Sequence, residues 1–167
     1  AITFDRKTDT STDSLTTTVK GATTASLTAS EEETLTIKSD TAASTITTLD
    51  AADLTSLTIT GGSNLTVGTV SNALGFATLD ASAATGAISI ANTANASTTA
   101  MTVTAGSGAL TVTTSTAADT VTGGAGADSI TSGTGADSIV GAAGNDTIDA
   151  GAGNDIVTGG AGNDSIT

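Results

Sequence analysis

Apolar residues in this chain come in short triplets with a hydroxyl residue between them. Examples are Leu35-Thr36-Ile37, Leu57-Thr58-Ile59, Leu65-Thr66-Val67, Ile88-Ser89-Ile90, Met101-Thr102-Val103 and Leu110-Thr111-Val112. Apolar–polar alternation of period two marks strands with one buried face. Gly, Asn, Ser and Ala fill the intervals. Triplet starts are irregular upstream, 22 and then 8 residues apart (35, 57, 65), and settle to 9 at the end (101, 110). The pattern predicts an all-β chain, a parallel β-solenoid with an irregular Thr/Ala-rich lead-in over 1–113 and tighter coils over 114–167. An antiparallel sandwich over 1–113 competes with it, because short connections such as Gly61-Gly62-Ser63-Asn64 suit hairpin turns.

From residue 123 the pattern becomes a strict nonamer: GGAGADSIT from Gly123, SGTGADSIV from Ser132, GAAGNDTID from Gly141, AGAGNDIVT from Ala150 and GGAGNDSIT from Gly159. Position 4 is always Gly (Gly126, Gly135, Gly144, Gly153, Gly162), and position 6 is always Asp (Asp128, Asp137, Asp146, Asp155, Asp164). Position 8 is β-branched throughout (Ile130, Ile139, Ile148, Val157, Ile166). Gly permits a tight turn over the first six residues, and the β-branched residue suits a short strand facing inward. Nine residues then make half a coil, and copies n and n+2 stack. Asp128, Asp146 and Asp164 fall in one column, Asp137 and Asp155 in the other. Stacked coils lie about 4.8 Å apart, so bare carboxylates would repel. Calcium reverses that sign, because it takes six to eight hard oxygens of the kind Asp and turn carbonyls provide. The register decays backward: Asp119 and Val121 fit in 114–122, Gly106, Gly108 and Val112 in 105–113, and only Val103 in 96–104. Asp119 is a candidate to pair with Asp137. A disordered Gly-rich acidic linker is the bland alternative, and the segment is expected to be disordered without calcium.

Charge narrows the partners. The 167 residues carry 17 acidic and four basic side chains (Arg6, Lys7, Lys20, Lys38), for a net charge of −13. With no basic patch to displace phosphate counterions, nucleic acid is excluded as a partner, and anionic membranes are disfavoured. No apolar run approaches transmembrane length, so direct membrane insertion is not expected. The chain has no Cys, His, Trp, Tyr or Pro, and its aromatics are Phe4 and Phe76. Disulfides and Cys-ligated metals are therefore excluded. Common catalytic bases and thiol nucleophiles are absent as well, so no enzyme activity is expected. The first residues have no signal-peptide layout, and the last complete a repeat without a cap. Both imply a piece of something longer.

The nonamer resembles the RTX calcium-binding repeat family. That resemblance implies a right-handed parallel β-roll, with each ion held between two stacked copies: the lower gives its Asp and the carbonyls of positions 1 and 3, the upper its Asp and the carbonyls of positions 2 and 4. Carried onto this chain, one ion would take Gly123, Ala125 and Asp128 with Ala142, Gly144 and Asp146. A second would take Ser132, Thr134 and Asp137 with Gly151, Gly153 and Asp155. A third would take Gly141, Ala143 and Asp146 with Gly160, Gly162 and Asp164. A fourth would follow if Asp119 pairs with Asp137. Ser132, Ala142 and Ala150 replace the usual Gly, which implies added strain in those turns. The lead-in, with stretches such as Leu54-Thr55-Ser56-Leu57-Thr58-Ile59-Thr60, also resembles the Thr/Ala/Gly-rich surface-layer (S-layer) proteins of the Caulobacter type. These imply type I secretion, a cell-surface location and calcium-dependent self-association into a lattice or filament.

Three functions remain in view: a secreted structural lattice subunit, a calcium-triggered folding module of a secreted RTX protease, lipase or toxin, and an adhesin segment. The lead-in has neither the aromatics nor the catalytic residues of a compact enzyme domain, which favours the first. Low cytosolic calcium would keep the chain unfolded for export, and extracellular calcium would fold it. Smaller features are read as structural. Glu31-Glu32-Glu33 and Asp50-Ala51-Ala52-Asp53 are expected to be solvated turns, and Asp149 to be exposed. Ser30 with Glu33 matches a helix-capping box but runs into strand alternation. Asn64, Asn95, Asn145 and Asn163 match the glycosylation triplet. For Asn145 and Asn163 a left-handed turn position explains the residue better.

Overall fold

A computed structural model of the chain describes residues 2–4, 13–21, 23–29, 32–71, 73, 75–91 and 98–167. All its elements among these residues are strands: β1 (Ile2–Phe4), β2 (Ser14–Val19), β3 (Thr23–Ala29), β4 (Thr34–Ser39), β5 (Ser44–Asp50), β6 (Ser56–Thr60), β7 (Leu65–Ser71), β8 (Thr78–Ala81), β9 (Ile88–Ile90), β10 (Thr102–Ala105), β11 (Leu110–Thr113), β12 (Thr120–Gly124), β13 (Ser129–Thr131), β14 (Ser138–Ala143), β15 (Thr147–Asp149), β16 (Ile156–Ala161) and β17 (Ser165–Ile166). Odd-numbered strands form one 9-stranded sheet and even-numbered strands one 8-stranded sheet, each in sequence order. Every pairing is parallel, from β1 with β3 to β15 with β17. The chain therefore alternates between two sheets and winds a β-solenoid. The antiparallel sandwich is overturned, because Gly61-Gly62-Ser63-Asn64 crosses from one sheet to the other and makes no hairpin.

The irregular triplet spacing now has a cause. Leu35 pairs with Leu57, a 22-residue step (35 to 57) that makes one full coil. Leu57 and Leu65, 8 residues apart, lie on opposite sheets. In the lead-in the step varies, being 20 from Ser14 to Thr34 and 24 from Thr78 to Thr102. From Val103 and Val112 onward it is 18, as in Val103 with Val121 and Val112 with Ile130.

Alternation within the strands fills the space between the sheets. One inward column runs Leu35, Leu57, Leu79, Val103, Val121, Ile139. The facing one runs Ile46, Val67, Ile90, Val112, Ile130, Ile148, and all these residues are buried. The longer lead-in coils also enclose Leu49, Leu54 and Phe76 at their corners. An 18-residue coil has room for little beyond one β-branched residue per strand, each contributing ~1.5–3 kcal/mol. In the last coil Val157 is half-buried and Ile166 is 49% exposed.

Leu57→Ala is expected to cost about 2–5 kcal/mol by leaving a cavity between Leu35 and Leu79. Thr58→Ala, on the outward face, should stay within about 0.5 kcal/mol. Thermal unfolding followed by circular dichroism checks both.

Candidate metal centre

The turn of each nonamer brings its Asp side chain back under the coil that precedes it. In one column, the amides of Leu110, Asp128 and Asp146 donate to Oδ1 of Asp128 (2.7 Å), Asp146 (2.9 Å) and Asp164 (3.1 Å). In the other, the amides of Met101, Asp119 and Asp137 donate to Oδ1 of Asp119 (2.7 Å), Asp137 (2.8 Å) and Asp155 (2.9 Å). The two predicted columns thus exist, and Asp119 belongs to the second. One oxygen of each carboxylate ties its coil to the one before.

The other oxygen is the chemically telling atom. Oδ2 of Asp128, Asp137 and Asp146 is buried without a hydrogen-bond partner, and these residues are at most 2% exposed. An unsatisfied buried carboxylate oxygen is costly unless a cation or donor meets it. The strain shows at Asp128. Burial pushes its carboxyl up from 3.8 to about 6, the Leu110 amide opposes the rise, and the neighbouring Asp146 charge adds to it.

Position 1 of the turn closes tightly on these atoms. A Cβ added to Gly123 would collide with Asp128 Oδ2 and lie 2.7 Å from the Gly141 carbonyl oxygen. At Gly141 it would collide with Asp146 Oδ2 and lie 2.5 Å from the Gly159 carbonyl. A carboxylate oxygen and a carbonyl oxygen from successive coils therefore face the spot that Gly leaves open, a donor pair suited to a hard cation. Among the described residues no three acidic side chains gather at one point, so any ion here depends on main-chain carbonyls.

The carbonyl-bearing turns stack as the nonamer requires. Gly124 registers with Ala142, Ala142 with Gly160, and Thr134 with Ala152. The Ala125 amide donates to the Gly106 carbonyl, the Gly135 amide to Ala152, and the Gly144 amide to Ala161. Ala143, Gly151, Gly153, Gly160 and Gly162 occupy the same turns in their own copies. Ala142 sits at φ +80, where Gly would be unstrained, so the strain implied there by the missing Gly is real, whereas Ser132 and Ala150 are not among the positive-φ residues and carry no such strain.

The two columns differ at position 1. Where the first has Gly123 and Gly141, the second has Thr114 and Ser132. Their hydroxyls donate to the carbonyls of Ser132 (3.1 Å) and Ala150 (2.7 Å). The Ser132 carbonyl, an expected ligand, already carries one hydrogen bond, though a carbonyl keeps a second lone pair. Asp119 departs further. Its Oδ2 accepts the Ser115 amide at 2.9 Å and the Ser115 hydroxyl at 3.0 Å.

Several smaller expectations change. Glu32 is buried, and the Glu33 side chain accepts the Asp13 amide at 2.6 Å while its carbonyl accepts Thr55 and Ser56 amides. That segment packs against neighbouring coils and is no solvated turn. Ser30, Glu31 and Asn95 lie outside the described residues. Asn145 and Asn163 are not left-handed. The positive φ falls on Gly144 and Gly162 beside them, and Asn145 Oδ1 accepts the Asn163 amide at 2.8 Å. Asp149 is exposed, as expected; of Asp50-Ala51-Ala52-Asp53 only Ala52 and Asp53 form an exposed turn, because Asp50 ends β5 and Ala51 is buried.

Comparison with known sequences agrees with this geometry. The model of the RTX calcium-binding nonapeptide repeat family (4 copies) matches residues 104–139, 113–148 and 131–166. The array is thus of a calcium-binding class, and its match reaches back over the degenerate copies that include Asp119. No curated protein and no solved structure matches the chain.

Two outcomes follow. Gly141→Ala places a methyl against Asp146 Oδ2 and the Gly159 carbonyl. It should weaken calcium binding and cost about 1–3 kcal/mol through overpacking, seen by calorimetric titration and melting. The second concerns pH. Folded Asp128 holds its proton up to about pH 6, above the ordinary 3.8. The stability it contributes to the ion-free roll is therefore complete below pH 3.8 and lost as pH rises through 6. In chelator the roll should therefore show more β signal by circular dichroism at pH 4 than at pH 7, and the reverse order would contradict this.

Proposed function

We propose that this chain is a secreted structural calcium-binding protein, not an enzyme, that folds and self-associates when calcium reaches it, most plainly as part of an S-layer lattice. The observation that carries the calcium part is the set of buried Oδ2 atoms of Asp128, Asp137 and Asp146 without protein partners. The ligands proposed are those three carboxylates with Asp155 and Asp164, plus turn carbonyls from the stacked copies. Bound calcium supplies the positive charge that the carboxylate columns lack, while the chain's own residues stack the coils, exclude water and hold the oxygens in register.

The structural reading draws support from the lead-in. Residues 13–113 continue the same two sheets into the roll, and the sequence offers no His or Cys for common catalysis. Secretion accords with RTX repeats, which are typical of type I export. The acidic nonamer array would stay unfolded at cytosolic calcium and stiffen outside, because binding to the folded state alone raises stability with ion concentration. A second reading keeps the calcium chemistry and makes the chain a folding module of a secreted protease, lipase, toxin or adhesin. The RTX match favours it too, since that match is confined to residues 104–166.

Calcium titrated into chelator-treated protein, followed by circular dichroism and light scattering together, tests the proposal. A cooperative gain of β signal with rising scatter supports the lattice subunit. A β gain without scatter moves the assignment to the monomeric module. No change at millimolar calcium removes the calcium reading. Asp146→Asn, which touches two ion positions, should shift the folding midpoint to higher calcium by more than Asp164→Asn.

A further inference from the structure

Asp119, Asp128, Asp137 and Asp146 are all buried, yet only the last three keep an unpaired Oδ2. The Asp119 carboxylate is filled by one residue four positions before it. Ser115 donates its amide to Oδ2 at 2.9 Å, and its hydroxyl lies 2.8 Å from Oδ1 and 3.0 Å from Oδ2. The hydroxyl oxygen in turn accepts the Ala117 amide at 3.1 Å, which fixes its direction. Ser115 is itself 2% exposed. The amide takes one lone pair of Oδ2, and the single hydroxyl proton sits between the two carboxylate oxygens, so Asp119 is satisfied without a cation.

Ser115 holds position 2 of its copy, and the later copies differ there in two ways. Gly124, Gly133, Ala142, Gly151 and Gly160 carry no hydroxyl, and all have positive φ (+104, +94, +80, +77 and +111). Ser115 is not among the positive-φ residues, and its amide meets the carboxylate of its own coil.

We propose that Ser115 ends the calcium array: its amide and hydroxyl take the place of a cation at Asp119, so that no ion binds between Asp119 and Asp137 and the 114–122 coil folds without calcium. This rests on the reading of the Asp columns as calcium sites. Ion-independent coils packed by Leu79, Val103 and Val121 then present the Asp119 amide to Asp137 Oδ1 as a ready edge. The ion-dependent coils assemble on that edge.

The test counts bound calcium per chain by calorimetry and follows hydrogen exchange, for the wild type, Ser115→Gly and Ser115→Ala. In chelator, wild-type peptides spanning 98–122 should stay protected while those within 123–167 exchange freely. Ser115→Gly, which restores the residue usual in later copies, should bind one more calcium than wild type. It should also make protection of 114–122 depend on calcium. Ser115→Ala should reduce that protection in chelator, and circular dichroism at saturating calcium confirms that both variants fold. Unchanged stoichiometry in Ser115→Gly, or protection of 114–122 in chelator that survives the substitution, overturns the proposal. A wild type that takes up no calcium at all fails earlier, and overturns the calcium reading on which it stands.

Discussion

Parallel stacking in register sets like upon like, and everything else in this molecule answers to that constraint. Where the repeated residue is Leu, Val or Ile, stacking deepens a core. Where it is Thr or Ser, stacking builds an outward row that water can meet. Where it is Asp, stacking concentrates negative charge in a dry place, and the fold holds only if something positive or hydrogen-bearing arrives. Each column spends one carboxylate oxygen on the amide of the coil before. The same contact that aligns the coils thereby buries the charge that threatens them.

Two regimes of stability share one winding path. Lead-in coils of 20 to 25 residues are wide enough to enclose Leu49, Leu54 and Phe76. They hold themselves by apolar burial. Coils of 18 residues replace that interior with turns whose oxygens face inward. The change is graded, because Val103, Val121 and Ile139 carry a single apolar column across it. Asp119 stands at the crossing, placed like the ion-seeking Asp residues and satisfied like a residue of the lead-in.

What could be read from the letters depended on how many demands each position meets. The nonamer was legible because each position answers to one demand: Asp to the column, Ile or Val to the core, Gly to a turn with no room for Cβ. The 22-residue step from Leu35 to Leu57 read only as irregular spacing, because Leu65 follows Leu57 closely and a short crossing between sheets has the same spacing signature as a hairpin. Glu32 misled because burial of a carboxylate at a coil corner leaves no periodic mark. Asn145 and Asn163 were assigned to the wrong backbone region, as the adjoining Gly takes the positive φ and frees Asn to link coils. The Ser115–Asp119 contact was illegible in a chain crowded with hydroxyls. Its one visible trace is a Ser where later copies carry Gly or Ala.

The columns are not interchangeable, since one has Gly123 and Gly141 at position 1 of the turn while the other has Thr114 and Ser132, whose hydroxyls bond the next copy. That difference gives the array a natural quantum of length. Adding or deleting eighteen residues leaves every remaining copy above a copy of its own kind. Adding or deleting nine transposes all later copies, setting the hydroxyl-bearing turns of Thr114 and Ser132 against glycine turns of the other column. Repeat arrays of this construction are therefore free to lengthen and shorten over evolutionary time in whole coils, while half-coil changes scramble the seams.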